Sequence, residues 1–287
     1  MSRSGSSERI VFLRRRIVEL EAGGEPPPAR AGDDGLSRLF DPSRGGLGEA
    51  LPARPTDAAA AAGFAFALAL RRLRLRPQGA IVWIAEDMAA RELGLPYGRG
   101  LQAAGLPPEL LVLARTRRPR ETLWAMEEAL KSGAAVVVAE SWAEASAYDL
   151  TASRRLALAA RRSGSAGLLL LPRAAGAAPR LASAAETRFE IAACAPPPRA
   201  EGAPRPLPGP PAFRLRVVKA RGLIGAFDPQ AWRDIAWRDI VFDHEEAEFH
   251  GAPFHALPFH ALPGRVPAAP CDRPALAPAA RARRALA

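Results

Sequence analysis

Two uninterrupted apolar runs, Ala80 to Ala85 and Ala134 to Ala139, constrain the fold of this chain more than any other feature. With apolar side chains at every position, neither run has a face to give to water. That is the pattern of a parallel strand covered on both sides by helices. Each run ends in a glutamate, Glu86 and Glu140. Gly45–Leu51, Leu110–Ala114 and Ala166–Leu171 are further strand candidates. Between them the spacing predicts helices over Ala58 to about Leu75, Pro119–Lys131 and Thr151–Arg162. Thr56 or Asp57 is placed to cap the first. Gly94, Pro96, Gly98 and Gly100 mark a loop. Strands and helices alternating at this rhythm predict an α/β fold with a doubly wound, mostly parallel sheet. After Pro172 the pattern changes. Glu186–Ile191 and Phe213–Val218 alternate apolar and charged residues, which predicts antiparallel strands at the sheet edge.

The expected organisation has four parts. Residues 1–24 hold an amphipathic helix over Glu8–Glu21, with Ile10, Leu13, Ile17 and Leu20 forming a narrow apolar seam. The seam is too short to stand alone in water and must dock on something. Residues 25–44 are a Pro/Gly/Asp-rich linker, 45–243 the core with its late edge strands, and 244–287 a Pro/Ala/His-rich tail expected to lose order. Two pentapeptides are duplicated in tandem, Ala231–Ile235 as Ala236–Ile240 and Pro253–Leu257 as Pro258–Leu262. A period of five matches neither a helix nor a strand face, so gene slippage explains them best.

No apolar run is long enough to span a bilayer, and the polar start lacks the apolar core of a signal peptide. The cytoplasm is the expected location, with no membrane contact. Cys194 and Cys271 lie in Pro/Ala-rich stretches, which argues against a structural disulfide. The net charge is +10, and of 40 basic residues only Lys131 and Lys219 are lysines.

The position of those lysines matters. The order of elements is that of a nucleotide-binding α/β domain, in which a phosphate loop G-x-x-x-x-G-K-[ST] joins the first strand to the first helix. Here the slot reads Ala50-Leu-Pro-Ala-Arg-Pro-Thr-Asp57, with no lysine before Lys131. Pro52 and Pro55 remove two amide donors, and Asp57 adds a negative charge. Arg54 alone does not rebuild the cradle, and Thr56 has no nucleotide to help it hold magnesium. Glu86 and Glu140 then have two readings: an acid pair around a metal at the carboxyl edge, or inherited strand-end carboxylates. The second is favoured. No catalysis, cofactor or metal is expected.

Several phrases carry a family resemblance. Trp83–Asp87 resembles the RecA strand that ends in the catalytic glutamate, and Val136–Ser141 resembles a Walker B strand. Leu95–Gly98, Leu123–Glu128, Asp149–Arg155 and Val217–Gly222 resemble the bacterial ImuA family of damage-inducible mutagenesis proteins. The resemblance covers roughly the first five-sixths of the chain. It implies a RecA-like fold with a degenerate P-loop, in which Arg54, Thr56, Glu86 and Glu140 are vestigial nucleotide-site positions. It also implies a non-catalytic accessory role in SOS-induced translesion synthesis. The implied partners are an ImuB-like Y-family polymerase homologue and an error-prone replicative-type DNA polymerase, with RecA as a further one, and association with the nucleoid on damage. The seam and the edge-strand arginines Arg214 and Arg216 are the candidate partner contacts. A RecA-type DNA-stimulated ATPase and a SulA-like cell-division inhibitor stay open as alternatives.

Arginine pairs suit phosphate, which makes Arg71, Arg72, Arg117, Arg118, Arg161 and Arg162 candidates for a weak DNA contact, against solvated helix faces. His244, His250, His255 and His260, with Asp243, Glu245 and Glu246, are spaced too irregularly to predict a metal site. Trp83, Trp124 and Trp142 are expected to pack, and Trp232 and Trp237 to be contact residues.

Overall fold

The apolar runs pair side by side in the computed structural model, which describes residues 45–143, 147–176, 181–197, 209–220 and 237–251. The N-terminal seam, the linker, Trp232, His255 and His260 lie outside the described residues. Nine strands form one sheet: β1 (Gly46–Pro52), β2 (Ile81–Glu86), β3 (Leu111–Thr116), β4 (Val136–Glu140), β5 (Ala166–Leu170), β6 (Thr187–Ala193), β7 (Ala212–Ala220), β8 (Arg238–Asp243) and β9 (Glu248–Gly251). Their order is β3-β2-β4-β5-β1-β6-β7-β8-β9. Every pair from β3 to β6 is parallel, and the pairs from β6 to β9 are antiparallel.

The helices are α1 (Ala58–Leu75), α2 (Asp87–Leu93), α3 (Gly98–Ala103), α4 (Pro119–Lys131) and α5 (Leu150–Ser163). Local chemistry fixes their ends. Pro119 opens α4, with Glu121 in its first turn and Lys131 in its last. Asp149 caps α5 by accepting from the Ala152 N–H at 2.7 Å, and Gly164, at φ +70°, ends it in the left-handed conformation. No helix among the described residues is long and apolar enough to cross a membrane.

The core has two layers, one on each face of the sheet. On the first face, Phe64 of α1 meets Phe189 and Phe213 edge-on at 5.4 and 5.8 Å, and Phe249 at 5.6 Å. On the second, Met126 and Leu130 of α4 and Leu156 and Ala160 of α5 pack with Leu47, Ile84, Val137 and Leu169. Helices on both faces make this a doubly wound α/β fold with a mostly parallel sheet.

The structure corrects four readings. β6 is no edge strand: it runs parallel to β1 and antiparallel to β7. β7, which carries Arg214 and Arg216, is itself flanked by β8 over Ala212–Leu215. Order continues past Asp243 into β9, whose Phe249 closes the aromatic cluster with Phe242 at 4.9 Å. The loop expected around Gly98 contains the short helix α3, and α2 precedes it.

Candidate functional site

The carboxyl edge of the parallel strands is where an open α/β sheet places ligand chemistry. The turn from β1 to α1 lies there, as a 3₁₀ turn over Pro55–Asp57. The Asp57 carboxylate is buried and fully partnered. Its Oδ2 accepts from the Arg54 backbone N–H at 3.1 Å and from Arg54 Nε at 2.9 Å. Its Oδ1 accepts from an Arg54 terminal nitrogen and from the Ala193 N–H, both at 3.1 Å. The Arg54 guanidinium, hydrogen-bonded to Asp57, holds this carboxyl below its ordinary range against the opposing effect of burial. The Ala53 N–H donates to the Ile191 carbonyl at 2.7 Å, so the turn is pinned to β6. The turn therefore satisfies its own cation with its own anion. Thr56 is exposed on it.

Glu86 and Glu140 are not brought together. Glu140 sits opposite Ala85 in the register and shares its face; Glu86, one residue on, points to the other. Glu86 Oε2 accepts from Ser141 Oγ at 3.0 Å and from the Trp142 N–H at 2.7 Å, so it staples β2 to the loop after β4. Glu140 is buried, and its Oε2 makes no hydrogen bond. Burial pushes its carboxyl up to about 7; the neighbouring Trp83 indole pulls the other way, less strongly, and Trp83 Nε1 is itself outside hydrogen-bond geometry. The two-carboxylate metal reading lacks its geometry.

A polar network that the sequence reading missed lies in the core beside β1. Glu49 accepts from Tyr148 OH at 2.6 Å on Oε1 and from Arg188 Nε at 2.5 Å on Oε2. Arg188 also donates to Ser183 Oγ at 2.7 Å, and Lys219 Nζ to the Ser183 carbonyl at 2.7 Å. Burial and the Glu49 charge raise the Tyr148 phenol above its usual range, so it stays protonated and a donor. An acid in the middle of the short apolar strand Gly46–Pro52 was the available signal.

The arginine candidates divide. Arg71 and Arg72 are 6% and 2% exposed, which removes them as surface contacts. Arg71 Nε donates to Glu248 at 2.8 Å, and Arg72 donates to the carbonyls of Ala135 at 3.3 Å and Gly164 at 2.7 Å. Arg72 continues the buried phase of Ala65 and Ala69 along α1, which is why it is inside. Arg117, Arg118, Arg161 and Arg162 are exposed, but they lie at opposite edges of the sheet. The first two follow the end of β3, and the last two precede the start of β5. They form no single basic track. Arg214 forks onto Asp239 at 2.7 and 3.0 Å. Arg216 pairs with Glu190 and lies over the Trp237 ring at 5.1 Å, which makes Trp237 a partner inside the chain.

At the β8–β9 turn, ligand atoms of Asp243, Glu246 and His250 lie within 4.8 Å of one another and are the group among the described residues that could hold a metal. His244 is not part of it; its ring packs edge-on against Phe242.

No family model matches the chain. It is similar to the protein ImuA of two Caulobacter vibrioides strains, NA1000/CB15N and ATCC 19089/CB15. Identity to each is 39% over 155 residues, covering 51% of this chain and 58% of the relative. The chain thus spans a little over half the length of those curated relatives. A partial structural match is found to the crystal structure of SulA from Pseudomonas aeruginosa, at a TM-score of 0.33 and 20% identity. That match covers 44% of this chain and 96% of that one. The homology with ImuA supports membership of that family.

Proposed function

Taking ImuA-family membership as the premise, we propose that this chain is a RecA-like, non-catalytic accessory protein of damage-inducible mutagenesis, acting by contact with other proteins. Its partners in this reading are a Y-family polymerase homologue and an error-prone replicative-type polymerase, with RecA as a further one. The SOS response and translesion synthesis are the setting. The observation that carries the non-catalytic part is the Arg54–Asp57 clasp. In a phosphate loop the backbone amides and one cation are free to meet an anion. Here the carboxylate of Asp57 takes the Arg54 and Ala193 amides and the Arg54 guanidinium, and Pro52 and Pro55 supply no amide at all. The P-loop is degenerate in that sense. Glu86, engaged with Ser141 and Trp142, adds no free carboxylate.

Calorimetric titration of the full chain with ATP and magnesium tests this. No heat of binding at micromolar nucleotide is expected. Micromolar affinity that disappears in Arg54→Ala, with turnover stimulated by DNA, would establish the ATPase alternative instead.

A further inference from the structure

The outer surface of α4 and α5 has features that the fold does not use. Both helices bury their inner faces, yet Trp124 is 62% exposed and Leu158 is 44% exposed. Trp124, Glu127 and Lys131 recur at helical spacing on α4; Arg155, Leu158 and Arg162 do the same on α5. Between the helices runs an open groove of about 400 Å³, lined by Glu127, Lys131, Arg155, Leu158 and Arg162 among others.

The charges of this groove are lopsided. Residues Leu150–Ser163 contain four arginines and no acid. Glu127 answers Arg155 at 2.5 Å and Lys131 at 3.0 Å, and Glu186 answers Arg161 at 2.7 Å. Among the described residues, Arg154 and Arg162 have no ion-pair partner. Apolar anchors with unanswered arginines beside them suit a ligand that is apolar along one stripe and acidic along its flanks. An amphipathic helix laid in a groove has that form. A phosphodiester strand fits less well, because its backbone offers no continuous apolar stripe to cover Trp124 and Leu158. The chain's own N-terminal seam carries Arg14, Arg15 and Arg16 and has the wrong sign.

We infer that the α4–α5 groove is the docking site for an acidic amphipathic helix of a partner protein. Apolar residues of that helix would cover Trp124 and Leu158, and its carboxylates would meet Arg154 and Arg162, which flank Leu158 one turn to either side. The inference names the kind of partner for the accessory role proposed above and rests on that reading only in expecting a protein. The binding test below makes no reference to mutagenesis, so either reading can fail alone.

The probe is a synthetic helix of about five turns with leucine on one stripe and glutamate beside it. Its binding to the full-length protein is read by fluorescence anisotropy. Controls are the same peptide with lysine for glutamate and a single-stranded DNA oligonucleotide. The glutamate peptide is expected to bind and to weaken with salt. Leu158→Glu combined with Arg162→Glu is expected to lower its affinity at least about tenfold. Arg162→Glu alone, at an exposed position, is expected to lower it less. Absence of binding, equal binding of the lysine peptide, or affinity unchanged in the double variant would overturn the proposal. So would DNA that binds more tightly than the peptide and loses that binding in the double variant.

Discussion

Two glutamates are buried in central strands one strand apart, Glu49 in β1 and Glu140 in β4. They are held in opposite ways. Glu49 has a phenol on one oxygen and a guanidinium on the other. Glu140 has an oxygen with no partner, and burial pushes its carboxyl up to about 7. The difference teaches that burial alone does not decide what a carboxylate does in this sheet; what the neighbouring elements bring to it decides. β6 and the residues around Tyr148 close over Glu49, whereas Glu140 faces Ala85 across the register and the first-face core. One glutamate fastens the sheet, and burial raises the carboxyl of the other.

Three substitutions test this contrast. The largest effect is expected from Arg188→Ala, which leaves Glu49 charged and buried with only Tyr148 to answer it. Removing one partner of a buried pair costs about 3–5 kcal/mol. Urea unfolding of the variant measures it, and a loss of less than about 1 kcal/mol would mean that Glu49 is not fastened as described.

Glu140→Gln is expected to act in the other direction. The unfolded chain releases this proton near the ordinary 4.5 and the folded protein near about 7, so the folded state holds more protons between them. Stability from this group is therefore present below about 4.5, falls as the pH rises toward 7, and stays low above it. The variant is expected to gain up to about 3 kcal/mol at about pH 8 and little at about pH 5. Equal effects at the two values would show that Glu140 does not titrate in that window.

Asp57→Ala removes a third buried carboxylate, one fully satisfied like Glu49 but at a turn rather than in the core. Loss of its bonds to the Arg54 and Ala193 amides is expected to destabilise by about 2 kcal/mol at neutral pH. Because Arg54 lowers the Asp57 carboxyl below its ordinary range, the deficit relative to the parent protein should vanish as the pH falls through the folded-state value. Chemical denaturation across the acid range checks that sign.

The parallel half of the fold was legible because its signals are local. Val136–Glu140 is buried along its length and Ile81–Glu86 at every position but the half-buried Val82, as their continuous apolar runs require. Pro119 and Lys131 bound α4 where the sequence places them. The antiparallel half misled. The alternation Thr187-Arg-Phe-Glu-Ile191 reads as one wet face and one dry face. In the structure its charged face is also inside, because Arg188 meets Glu49 and Glu190 meets Arg216. Arg71 and Arg72 misled for the same reason: a charge run at the end of an apolar helix reads as solvated, and here its partners are Glu248 and two backbone carbonyls.

By itself the sequence determined the α/β layering, the ends of the central helices and the absence of a phosphate-loop lysine, because periodicity, caps and residue identity act over a few neighbours. Only the tertiary structure decided which charges are structural and which are free. Glu49 and Arg188 lie 139 residues apart, and Asp57 and the Ala193 amide 136. No local pattern encodes a pairing that exists only once β1 and β6 lie side by side in a medium where an unmatched charge cannot stay.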